Sequence, residues 1–116
     1  MITSYVTPDG DLLYLSLIGR LDGDAADEIV GEYHVRFAAP VRRCILDLAT
    51  AEAATERGFG VVPRLANVSR VDGVELSLVA RGSAIERQLA ETADRHGVPV
   101  LDGRGPYSAG GLAAQR

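Results

Sequence analysis

Apolar and polar positions alternate along this chain with two periods, and the changes of period mark its elements. Ile2 to Val6 and Leu12 to Ile18 read as two short strands. Pro8-Asp9-Gly10-Asp11 lies between them, and its chemistry is that of a turn, because proline presets φ and glycine tolerates a positive φ. The two runs are therefore expected to pair as a hairpin. Gly19-Arg20-Leu21-Asp22 ends the second strand. Ala26, Ile29, Val30, Tyr33 and Phe37 then recur at helical spacing. Asp22 or Asp24 is placed to cap this helix. Asp27 and Glu28 would fall in its first turn, where the dipole favours carboxylates. Pro40 closes the segment, since the residue before a proline avoids the helical region.

Val41 to Leu48 reads as a third strand. Its centre, Cys44-Ile45-Leu46, is almost continuously apolar, which suits a central strand covered on both faces. Thr50 to Gly60 reads as a loop, followed by a second helix over about Arg57 to Val68. Pro63 falls inside that helix and is expected to kink it or delay its regular start. Val71-Asp72-Gly73 turns the chain into a fourth strand, Val74 to Ala80. Ser83-Ala84-Ile85-Glu86 matches a capping box. Ile85, Leu89 and Ala93 give a third helix its apolar face, and Gly97 supplies a left-handed end. Val98 to Leu101 is a short strand, expected at an edge because it contains Pro99. Strands alternating with helices imply a mostly parallel sheet with right-handed crossovers.

Length allows one domain. The chain has 116 residues, and its 47% hydrophobic content suffices for one core. Aromatics are 5% and Trp is absent, so the core rests on Val, Leu, Ile and Ala. A single domain over 1–102 is expected, with a Gly- and Ala-rich loose tail over 103–116. The net charge is −4, all basic residues are Arg, and only Arg42-Arg43 are adjacent. An acidic chain without a basic stripe is a poor nucleic-acid ligand. No stretch has the length of a membrane-spanning helix, and the N-terminus does not read as a signal peptide. With a single cysteine, Cys44, no intrachain disulfide can form. These features favour the cytosol and no direct insertion in a membrane.

Candidate chemistry is sparse. His34 and His96 lie on different helices without a ligand-spaced partner, so no metal is expected. Cys44 has no neighbouring acid-base pair and reads as a buried small hydrophobe. Gly58-Phe59-Gly60 lacks the third glycine of a dinucleotide fingerprint, and no Gly-Lys-Ser/Thr follows it. The residues therefore point away from an enzyme, and no cofactor is expected. Thr50-Ala51-Glu52-Ala53-Ala54-Thr55-Glu56-Arg57 is the candidate recognition loop, because binding sites favour the loops beyond the C-terminal ends of parallel strands.

Three segments resemble the STAS family of anti-sigma factor antagonists and related domains of sulfate transporters. Leu17-Ile18-Gly19-Arg20-Leu21-Asp22 is similar to the family's strand ending in Gly-x-Leu-Asp. Cys44-Ile45-Leu46-Asp47-Leu48 is similar to its apolar strand ending in Asp-Leu-Ser. Gly58-Phe59-Gly60-Val61-Val62 is similar to the opening of its second helix. The resemblance runs over about residues 2 to 102. It implies an α/β, STAS-like fold: a mixed, mostly parallel sheet of four or five strands with helices packed on it. It also implies a non-catalytic module of bacterial transcription regulation, an anti-anti-sigma factor. Its partner would be an anti-sigma factor or a histidine-kinase-like ATPase domain. A STAS module that senses a small ligand or serves a membrane transporter is the alternative, and a homodimer is left open.

One departure bears on regulation. Antagonists of this family carry Asp-Ser-Ser-Gly or Asp-Ser-Thr-Gly before the second helix, and a partner kinase phosphorylates the last hydroxyl. Aligned on Gly58, this chain has Thr55-Glu56-Arg57-Gly58. Arg57 stands where the phosphoacceptor stands and cannot take that role. The switch is therefore absent or moved to Thr55. The resemblance places the partner-binding residues at Asp22, Thr50, Thr55, Glu56, Arg57 and Gly58, although Asp22 reads more readily as a helix cap.

Overall fold

The computed structural model describes residues 1–101 apart from Ala39. The Gly- and Ala-rich segment from Gly103 lies outside the described residues. The element order is β1 (Ile2–Val6), β2 (Leu12–Leu21), α1 (Gly23–Arg36), β3 (Arg43–Ala54), α2 (Glu56–Phe59), α3 (Val61–Asp72), β4 (Glu75–Val79), α4 (Glu86–Arg95) and β5 (Val100–Leu101). The strands form one sheet in the order β1-β2-β3-β4-β5. β1 and β2 are the antiparallel hairpin, and every later pair is parallel.

Strand order equals chain order. Successive right-handed crossovers therefore place the long helices on the same side. The main core shows it: Leu13, Leu15, Cys44, Leu46, Leu76 and Leu78 of the sheet share one cluster with Ile29 of α1, Leu65 of α3 and Leu89 of α4. Register explains the choice of residues. Leu13 pairs with Cys44 and Cys44 with Leu76, while Leu15 pairs with Leu46 and Leu46 with Leu78, so these leucines point to one face.

Several boundaries differ from the sequence expectation. β2 runs on to Leu21 rather than ending at Ile18, with register shifts between Ser16 and Ile18 and between Gly19 and Arg20. β3 runs on to Ala54, so Thr50 to Ala54 is strand and not loop. Pairing with β2 holds it there, Ile18 to Thr50 and Leu21 to Ala54. The expected helix over 57–68 is two helices divided at Gly60. Pro63 is the third residue of α3, in the first turn, where no amide hydrogen bond is lost. The helix then continues through Val71 and Asp72, and only Gly73, at φ +73°, makes the turn.

Two capping details are also corrected. Asp22 caps α1, and the first-turn carboxylate is Asp24, because the helix starts at Gly23; Asp27 and Glu28 fall one turn later. Ser83 and Glu86 do not form a reciprocal box. The Ser83 hydroxyl donates to the Ala51 carbonyl and accepts from the Ile85 amide, while Glu86 accepts from Gly82. Ser83 thus ties the β4–α4 connection to the extension of β3.

Candidate partner-binding surface

The ends of β2 and β3 bring the candidate residues together. Leu21 is fully buried and closes β2, and Asp22 follows in extended backbone as the cap of α1. Its Oδ1 accepts from the Ala25 amide at 2.9 Å. Across the gap, Thr55 ends β3 and caps α2, its Oγ1 accepting from the Gly58 amide at 3.1 Å. The Thr55 amide in turn donates to the Leu21 carbonyl at 3.0 Å. Two capped helix starts therefore sit side by side, locked through backbone.

Gly58 makes this approach close. A Cβ there would stand 1.9 Å from the Leu21 carbonyl oxygen. Gly58 is buried, so its place is beneath the surface rather than on it. A cleft of about 390 Å³ opens above, lined by Asp22, Gly23, Asp24, Thr55, Glu56 and Arg57. The Arg57 guanidinium lies across Gly23, where a Cβ would meet Cζ at 3.0 Å. The ion pairs among the described residues, Arg36 with Glu32, Arg43 with Asp11 and Arg64 with Asp27, leave Arg57 out.

Four residues singled out from the sequence thus share the cleft: Asp22, Thr55, Glu56 and Arg57. Thr50 lies off it, exposed, with its hydroxyl donating to the Leu17 carbonyl. Gly23 and Asp24 were not singled out for the surface. Nothing local marks them, because only the packing of α2 against the start of α1 brings them to Arg57.

The possible reactive groups are quiet. Cys44 is buried, and desolvation pushes its thiol up to about 12. Among the described residues no group of three or more His, Cys, Asp or Glu side chains could hold a metal ion. No helix among them is long and apolar enough to cross a membrane.

No family model and no curated protein matches the sequence. Solved structures do match. The anti-sigma factor antagonist SpoIIAA in its unphosphorylated form superposes with a TM-score of 0.67 at 16% identity, over 88% of each chain. An anti-sigma-factor antagonist STAS domain from Rhodobacter sphaeroides superposes with a TM-score of 0.52 at 16% identity, over 67% of this chain and 83% of that one. The fold is STAS-like. A further match is to part of Mglu, with a TM-score of 0.52 at 23% identity. It covers 64% of this chain and 18% of the Mglu chain. The mixed, mostly parallel sheet of five strands with helices packed on it is the architecture that the resemblance implied.

Proposed function

We propose that this chain is a regulatory module that binds a partner protein and catalyses no reaction, acting as an anti-sigma factor antagonist does. The observation that carries the reading is the cleft where the β2–α1 and β3–α2 junctions meet, with Arg57 exposed on its wall. The solved anti-sigma factor antagonists that share the fold support it. The partner is an anti-sigma factor or a histidine-kinase-like ATPase domain, met in the bacterial cytosol. Asp22, Glu56 and Arg57 contact it, Thr50 and Thr55 flank the contact, and Gly58 sets its shape.

Binding is constitutive with respect to phosphorylation at the family position. Phosphorylation there would add about −1.5 to −2 charges to the first helical turn. Arg57 instead holds a permanent positive charge. The test is calorimetric titration with the partner, after its capture from native cells and its identification. Arg57→Glu should weaken binding by about 2–5 kcal/mol if the side chain is buried in the complex, and Arg57→Ser should weaken it less. Unchanged affinity for both variants removes Arg57 from the interface. Stoichiometric phosphate on Thr55, read by mass spectrometry of protein from native cells, would overturn the constitutive reading.

A further inference from the structure

A second hollow lies at the end of the sheet opposite the cleft. β4 begins beside Arg43, the first residue of β3, whereas the cleft follows Ala54, the last. The hollow, of about 190 Å³, opens where the C-terminal ends of α3 and α4 meet the entry to β4. Its apolar lining is buried: Ala66, Val74, Leu76 and Val98. Ser69 is buried beside them, and its hydroxyl donates to the Ala66 carbonyl at 3.2 Å, so it has no proton left for a ligand. Backbone carbonyls at the two helix ends are satisfied as well, Ser69 by the Val74 amide and Ala93 by the Val98 amide. The other polar side chains of the lining are Arg70, exposed, and His96, half-buried. Neither side chain is hydrogen-bonded or ion-paired to another described residue. No carboxylate among the described residues lines the hollow, although the chain has 16 acidic residues against 12 basic ones.

We propose that this hollow is a binding site for a small aliphatic carboxylate, with Arg70 and His96 holding the carboxylate and the buried lining taking the hydrocarbon tail. A guanidinium presents a planar fork of donors that matches a carboxylate in two parallel hydrogen bonds. The imidazole adds a donor from whichever nitrogen carries a proton. Size limits the ligand. The hollow has the room of about six water molecules at about 30 Å³ each. Sites for larger ligands run from about 300 to 1,000 Å³, so a nucleotide does not fit. The apolar lining separates the carboxylate from a bare phosphate, which matches the guanidinium but leaves that surface wet. The helix dipole favours a cation at the end of a helix, which accounts for Arg70 and His96 one at a time. It does not account for a hollow with an apolar lining that both of them share. A pocket lined by apolar groups with a few polar groups converging on it is the ordinary form of a small-molecule site.

The test is a nuclear magnetic resonance titration of the nitrogen-15-labelled full chain with three probes: butanoate, 1-butanol and inorganic phosphate. Butanoate should shift the amides of Ser69, Val74 and Val98 saturably at millimolar concentrations. Butanol, which keeps the tail without the charge, and phosphate, which keeps the charge without the tail, should each bind at least about tenfold more weakly. Arg70→Gln should raise the butanoate dissociation constant about tenfold or more, and His96→Ala several-fold, with the rest of the spectrum unchanged. Shifts that do not saturate below about 100 mM butanoate would overturn the proposal. So would butanol or phosphate binding as tightly as butanoate, or an Arg70→Gln variant that binds it unchanged. Both substitutions lie away from the Arg57 cleft, so this result stands apart from the partner-binding reading.

Discussion

At Gly58 a missing side chain sets the distance between two backbones. A Cβ 1.9 Å from the Leu21 carbonyl oxygen cannot be absorbed by a rotamer change, because both groups belong to the main chain. Gly58→Ala should therefore cost at least about 1–3 kcal/mol, read as a lower midpoint in urea melts. An unchanged midpoint would mean that α2 moves away freely. Cys44 makes a prediction about pH. Burial raises its thiol from 9.0 to about 12, so the folded state keeps a proton that the unfolded state gives up. The associated stability is complete below the ordinary thiol value and is lost as pH rises from there toward the folded one. The slope is about 1.4 kcal/mol per pH unit. Melts across that range should show this slope as the difference between the unaltered chain and Cys44→Ala. At neutral pH a disulfide reagent should label Cys44 only as the protein unfolds.

Among the described elements, α2 is the shortest helix. It has four residues, Glu56–Phe59, too few to be stable by propagation alone. Its cap is the Thr55 hydroxyl. Thr55→Ala should lower stability by about 0.5–2 kcal/mol and Thr55→Ser should restore most of it, as measured by chemical denaturation. A loss equal in both variants would place the role of Thr55 in its methyl group instead. The longer helices have broader support. In α1 the wholly buried Tyr33 stacks on Phe37 at 5.7 Å, and its hydroxyl donates to Asp72 at the end of α3 at 2.8 Å. Burial and that carboxylate together raise the Tyr33 phenol well above its usual value. The exposed Arg64–Asp27 pair also joins α3 to α1, but ion pairs in solvent contribute little.

For the whole molecule, the sheet face beneath the helices sets the stability. Leu46 is 1% exposed at its centre, between Leu15 and Leu78. Leu46→Ala should cost about 2–5 kcal/mol through the cavity it leaves. That is a large share of the roughly 5–15 kcal/mol available to a domain of this kind. A loss below about 0.5 kcal/mol in denaturant melts would be incompatible with a core position. The same sheet positions the candidate surface, since β2 and β3 outrun their neighbours and carry Asp22 and Thr55 to one edge of the molecule.

Sequence alone determined what depends on local periodicity and on glycine and proline chemistry. The β1–β2 hairpin, the buried face of α1, the central place of Cys44 to Leu46 and the edge position of the last strand were all legible, because each follows from residues near one another in the chain. The tertiary structure decided where pairing overrode local composition. Thr50 to Ala54 reads as a polar connection, yet hydrogen bonding to β2 makes it strand. Ser83 reads as a box partner for Glu86, yet the Ala51 carbonyl claims its hydroxyl. The cleft itself could not be read along the chain. Gly23 and Arg57 meet only because Gly58 lacks a side chain and lets α2 rest on the Leu21 carbonyl, a contact between segments that are far apart in sequence.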